Sequence, residues 1–165
     1  MTLLACAWFL PALLLAGQVG ASLPADDFLL LATEHTGCQS VQLVLADSLR
    51  LARCTPESGA PCYFALSTDF TAVQGYNGVT ALGIVYGEQG EVRQVRILSS
   101  EDTRSFVRRL RHGSFLGQFA GYSGQQPLST VTGATITSRA VNKTVQEVTE
   151  QVQGVLTGGE LPLRR

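Results

Sequence analysis

The sequence predicts an α+β fold, an antiparallel sheet with helices packed on it, forming a single domain after a signal peptide. Three observations predict it. Val79 to Tyr86 is rich in β-branched and aromatic residues, and Gly87-Glu-Gln-Gly90 turns it into a second strand over Glu91 to Leu98. Near the end, Val141, Val145, Val148, Val152 and Val155 recur at spacings of 4, 3, 4 and 3, one apolar stripe on an amphipathic helix. Strands and helices are also segregated along the chain rather than alternating, which favours an antiparallel sheet over a parallel one. At 165 residues and 45% apolar content the chain has material for one core.

The first 25 residues carry no charge, so all 12 Lys and Arg and all 13 Asp and Glu lie between Asp26 and Arg165. The apolar run Leu3 to Gly17 followed by Val19-Gly20-Ala21 reads as a signal peptide over residues 1–21. It has no Lys or Arg at its start, and retention as a weak anchor is the alternative. Export makes the protein extracytoplasmic, periplasmic or secreted. A net charge of −1 gives no footprint for nucleic acid.

Residues 22–60 form an N-terminal helix and connecting region. Asp26 or Asp27 caps a helix through His35, ended near Gly37. Val41 to Leu45 reads as a strand, and Ala46 to Arg53 as a short helix or loop. The main domain is assigned to residues 61–157 and a tail to 158–165. Within the domain, Cys62 to Leu66 is a strand and Gly75-Tyr76-Asn77-Gly78 a turn. Val92 and Val95 fall on opposite faces of their strand unless a bulge intervenes. Ser105 to Leu110 is helical and locally basic, with Arg104, Arg108, Arg109 and Arg111. That basic run reads either as a solvated face or as a contact for an anion or partner. Phe115, Leu116 and Phe119 belong to the core. The last helix starts at Thr137 or Ser138 and ends at Gly158-Gly159; the sequon at Asn142 lies inside it and is discounted.

Cys54 and Cys62 flank the turn-rich stretch Thr55 to Pro61, so a disulfide between them is expected, with Cys38 and either partner as the rival. His35 and His112 show no ligand spacing with the cysteines, and no metal site is expected.

The segment Ser129-Thr-Val-Thr-Gly-Ala-Thr-Ile-Thr-Ser138 carries the chemistry. Gly133 permits a tight turn, and the helix that follows offers unpaired N–H groups and a partial positive charge beside Thr135. A phosphate suits that place; a hydroxyl-rich helix cap without ligand is the plain alternative.

Thr132-Gly133-Ala134-Thr135 with Ile136-Thr137-Ser138 resembles the flavinylation motif of the FMN-binding domain family. That family includes extracytoplasmic domains of the sodium-translocating quinone reductase and of the Rnf complex. Gly75-Tyr76-Asn77-Gly78, Ser100-Glu-Asp-Thr103 and Leu116-Gly-Gln-Phe119 resemble the family's Gly-Tyr-x-Gly, Glu-Thr and Leu-x-x-Phe segments, so the likeness covers roughly residues 60 to 150. The resemblance implies FMN as cofactor, linked by its phosphate to Thr135 by a flavin transferase. It implies a turn shaped by Thr132, Gly133, Ala134, Thr137 and Ser138, and a ring pocket near Tyr76 and residues 100–106. No catalytic residue is implied: the protein would be an electron carrier served by a membrane or extracytoplasmic redox partner. Ser129 departs from the motif, which has Asp there. An accessory or sensor module that has weakened or lost its flavin is therefore the rival reading.

Overall fold

A computed structural model describes residues 23–46 and 49–158. The proposed signal peptide and most of the tail lie outside these residues. The α+β expectation holds. Helix α1 (Ala25–Thr36) precedes strands β1 (Val41–Ala46), β2 (Leu49–Cys54), β3 (Cys62–Leu66), β4 (Thr80–Tyr86) and β5 (Val92–Ser100). Helix α2 (Arg104–His112), a 3₁₀ segment at Phe115–Phe119 and the long helix α3 (Thr135–Thr157) follow. The five strands form one antiparallel meander in the order β1-β2-β3-β4-β5.

The sheet buries both faces. Leu51, Tyr63, Ala65, Ile84 and Tyr86 point to one side, where α3 lays Val141, Val145, Val148 and Val152 against them. The valine stripe is thus a packing face, and only Val155 is left half-buried. The Tyr86 hydroxyl meets Thr149 Oγ1 at 3.3 Å within this layer, which satisfies both groups away from water. Ala52, Cys54, Phe64 and Leu66 point to the other side, under Phe28 and Ala32 of α1. Strand β3, in the middle, is buried at every residue.

Several boundaries differ from expectation. Helix α1 begins after Pro24, so Asp26 and Asp27 sit in its first turn, where their charge suits the helix dipole; Gly37 (φ 70°) closes it. The stretch from Ala46 to Arg53, expected to be helix or loop, instead ends β1 at Ala46 and supplies most of β2. Leu, Ala and Arg are good helix formers, but pairing with both β1 and β3 decides the outcome. A bulge does intervene in the β4–β5 hairpin. Tyr86 pairs with Val92 and Val85 with Gln94, leaving Arg93 extra, so Val92 and Val95 are both buried. Helix α3 starts at Thr135, two residues before the expected start.

The structure also corrects the cysteine pairing: Cys38 bonds Cys54, and Cys62 is the free thiol, not the partner of Cys54. Cys54 and Cys62 face each other across β2 and β3. Such register partners hold Cβ atoms about 4.5–5.5 Å apart, wider than the roughly 3.5–4.5 Å a disulfide prefers. Cys38 enters from outside the sheet, after the turn at Gly37, and is free of that spacing. No helix among the described residues is long and apolar enough to cross a membrane.

Candidate functional site

Three segments distant in sequence meet at the start of α3. The turn at 75–78 is closed by Gly75 N–H donating to the Gly78 carbonyl at 2.8 Å. The link from β5 to α2 contributes Asp102 and Thr103. The third segment is the hydroxyl-rich turn at 131–138.

Asp102 joins them. It is 4% exposed, yet its carboxylate is fully engaged. It accepts the Thr137 hydroxyl at 2.6 Å, Tyr76 N–H at 2.9 Å, Asn77 N–H at 3.2 Å and its neighbour Thr103 N–H at 2.7 Å. Burial pushes its pKa up, but these hydrogen bonds favour the charged form and leave it below the ordinary aspartate value. A side chain at Gly75 would collide with Asp102, so the close approach of the 75–78 turn requires glycine there. Asn77 adds a side-chain bond to Thr103 Oγ1 at 3.0 Å, and Tyr76 packs edge-on to Phe106 of α2 with ring centroids 5.6 Å apart.

The turn before α3 is fixed from both sides. Gly133 has φ 75°, a left-handed conformation, and its carbonyl accepts Arg109 Nη1 at 2.7 Å. The Ser138 hydroxyl donates back toward Ala134 O and receives Val131 N–H at 3.1 Å. Thr137 and Ser138 are therefore buried and spend their hydroxyls inside the protein: they shape the turn. Thr132 and Gly133 are exposed, Ala134 is buried and Thr135 is half-buried. Ala134 offers no side-chain cap, and Thr135 is the first residue of the helix. The N–H groups of Thr135, Ile136 and Thr137 consequently have no intrahelical acceptor.

Beside Thr135 runs an open groove of about 620 Å³, between residues 71–74 and the first turns of α3 at Ile136, Arg139, Ala140 and Lys143. Ile136 (53% exposed), which lines the groove, and Tyr76 (58% exposed), in the 75–78 turn, present apolar surface to solvent. The structure thus brings together Tyr76, residues 100–106 and the 132–138 turn. It leaves Ser129 exposed, its backbone held by Gln118 and Asn142 rather than facing Thr135. Sequence reasoning placed residue 102 in the ring-pocket segment but missed its role as hub. It named Arg109 only as one of a basic run, read as a solvated face or as a contact for an anion or partner, and it missed the groove. Four hydrogen bonds converging on one carboxylate have no signature in a linear pattern.

The donor set fits a phosphorylated flavin. A reachable hydroxyl, free helix N-terminal N–H groups, a neighbouring arginine and an adjoining groove with apolar flanks answer a phosphate and a flat ring system.

Comparison with known proteins agrees with this fit. Residues 75–150 match the family model described as FMN-binding domain. A relative in Clostridium ljungdahlii is named as one of the subunits of a proton-translocating ferredoxin:NAD(+) oxidoreductase complex. It is 34% identical over 98 residues, covering 53% of this chain and 52% of the relative. The chain thus spans about half the length of that protein. Residues 75–150 are a domain of the FMN-binding family, with FMN as its cofactor.

Proposed function

We propose that the protein is an extracytoplasmic electron carrier whose FMN is joined through its phosphate to Thr135. One observation carries this reading: Thr135 is half-buried at the first position of α3, in a turn fixed by Asp102 through Thr137 and by Arg109 through Gly133. A phosphate joined to this hydroxyl would lie beside the unpaired N–H groups of the same helical turn. The attachment is a group transfer without redox change. Thr135 Oγ1 bonds the flavin-side phosphorus of FAD, the phosphoanhydride breaks, AMP leaves, and the hydroxyl proton goes to a base of the flavin transferase. Bound flavin supplies one- or two-electron chemistry, and the protein sets its position and its electrostatic surroundings. The name of the Clostridium relative, a subunit of a proton-translocating oxidoreductase complex, supports a redox partner of that kind.

The test is coexpression with a flavin transferase, then acid precipitation and intact-mass measurement. A yellow pellet with a mass gain of one FMN less one water, mapped to Thr135, is expected. Thr135→Val should abolish the gain and Thr135→Ser retain it in part. Flavin released into the acid supernatant would leave FMN bound but unlinked. No flavin in either fraction would favour the accessory-module reading, to which Ser129 points.

A further inference from the structure

We propose that the arginine face of α2 is the docking surface for an acidic electron-transfer protein. The inference rests on the carrier reading and adds the partner's chemistry.

Helix α2 carries Arg104, Arg108, Arg109 and Arg111 and no acidic residue. All four are exposed. Among the described residues the ion pairs are Arg50–Asp69, Arg93–Glu91 and Lys143–Glu147, so no arginine of α2 is neutralised by a carboxylate. Two of the four are held in place by uncharged acceptors: Arg109 by Gly133 O at 2.7 Å, and Arg111 by Ile97 O at 3.1 Å. Arg111 is thereby fixed in direction while its charge stays available to a partner, and Arg109 faces the flavin turn. Arg104, Arg108 and Arg111 stand at i, i+4 and i+7, one stripe about 10 Å long. Repulsion along such a stripe works against the isolated helix, and an acidic partner would relieve it.

The helix that carries the stripe also lies beside the flavin turn. Arg109 touches the turn that leads to Thr135, and Phe106 of the same helix packs on Tyr76. Tyr76 and Ile136 are two of the three exposed large apolar residues among those described. Exposed apolar side chains near unpaired positive charge suit a brief encounter, in which charge raises the association rate and little area is buried. A lipid surface fits less well. An interfacial helix inserts an apolar face, and the exposed positions of α2 are Arg, Ser and His.

The experiment uses the flavin-loaded protein, photoreduced and mixed by stopped flow with oxidised acidic cytochrome b5 or basic cytochrome c. With the acidic carrier the second-order rate should fall as salt rises; with the basic carrier it should not. Arg108→Glu with Arg111→Glu, two exposed residues outside both the flavin turn and the 100–106 segment, should slow cytochrome b5 about tenfold at low salt. Flavin content and photoreduction should be unchanged. Arg108→Gln with Arg111→Gln should fall between. A rate to cytochrome b5 indifferent to salt and to these substitutions overturns the proposal. If the protein proves to carry no flavin, the carrier reading fails separately. Docking is then scored by amide shifts on adding cytochrome b5: shifts at residues 104–112 support it and their absence overturns it. Sedimentation with phosphatidylserine vesicles at physiological salt, without any response to cytochrome b5, would assign the face to a membrane instead.

Discussion

Asp102 shows how one side chain sets the geometry of a site it does not occupy. Its carboxylate holds the 75–78 turn, the start of α2 and Thr137 in one network, and Thr137 lies in the helical turn that Thr135 opens. Asp102→Asn keeps the shape but replaces one acceptor oxygen with a donor and removes the charge. The loss is expected to be about 1–3 kcal/mol, read as a lower Tm with slower flavin attachment at Thr135. The dependence on pH has a definite sign. A carboxylate whose folded pKa is depressed stabilises the fold above its unfolded value, about 3.9, and that contribution disappears as pH falls through the lower folded value. The Tm gap between the natural protein and Asp102→Asn should therefore be widest near neutrality and shrink below about pH 4. A gap that is constant across this window would show that the charge plays no part. At the same scale, Gly133→Ala combines a left-handed φ with a collision against Arg109, and is expected to cost about 1–2 kcal/mol by thermal unfolding. Thr135 was legible in the sequence because a Gly turn before a helix is a local pattern. Asp102 was not, because its partners come from residues 76, 77 and 137.

Whole elements were legible in proportion to how local their cause is. The valine period of α3 and the glycine turn between β4 and β5 are written in consecutive residues, and both are present in the structure. Strand β2 is decided by neighbours on both sides, and Leu49-Arg-Leu-Ala-Arg-Cys54 has propensity enough for a helix. Cysteine pairing fails as a local reading for the same reason. The loop between Cys54 and Cys62 was visible, but the path that brings Cys38 over the sheet was not. Two predictions belong to these elements. Val148→Ala removes two buried carbons from the face of α3 that meets the sheet, for about 2 kcal/mol of lost stability by denaturant unfolding. Cys38→Ser opens a loop with a sequence separation of 16, for a loss of about 3 kcal/mol. Cys62→Ser should leave that bond in place, and digestion without reductant should recover residues 38 and 54 in one linked peptide.

At the scale of the molecule the sheet separates two layers with different duties. The α1 layer holds the disulfide and the second core, while α3 and α2 on the opposite face carry the flavin turn. The match to the FMN-binding family covers residues 75–150, yet β4, paired with β5 on one side, pairs on the other with β3, which in turn pairs with β2. The flavin-bearing segment thus depends on strands that lie outside the matched region. Because β3 is buried from both sides, neither layer can open without exposing the strand they share. The two layers should therefore unfold as one cooperative unit. The prediction is made on the Cys38→Ser variant carrying flavin. Far-UV circular dichroism and flavin fluorescence should report a single, lowered Tm, although the lesion lies across the sheet from Thr135. Below that temperature, the flavin spectrum and the rate of photoreduction should match those of the natural protein. If the dichroism falls in two steps while the flavin signal follows only the second, the α1 layer is an independent unit. The site would then need no more than residues 75–150 and the strand beside them.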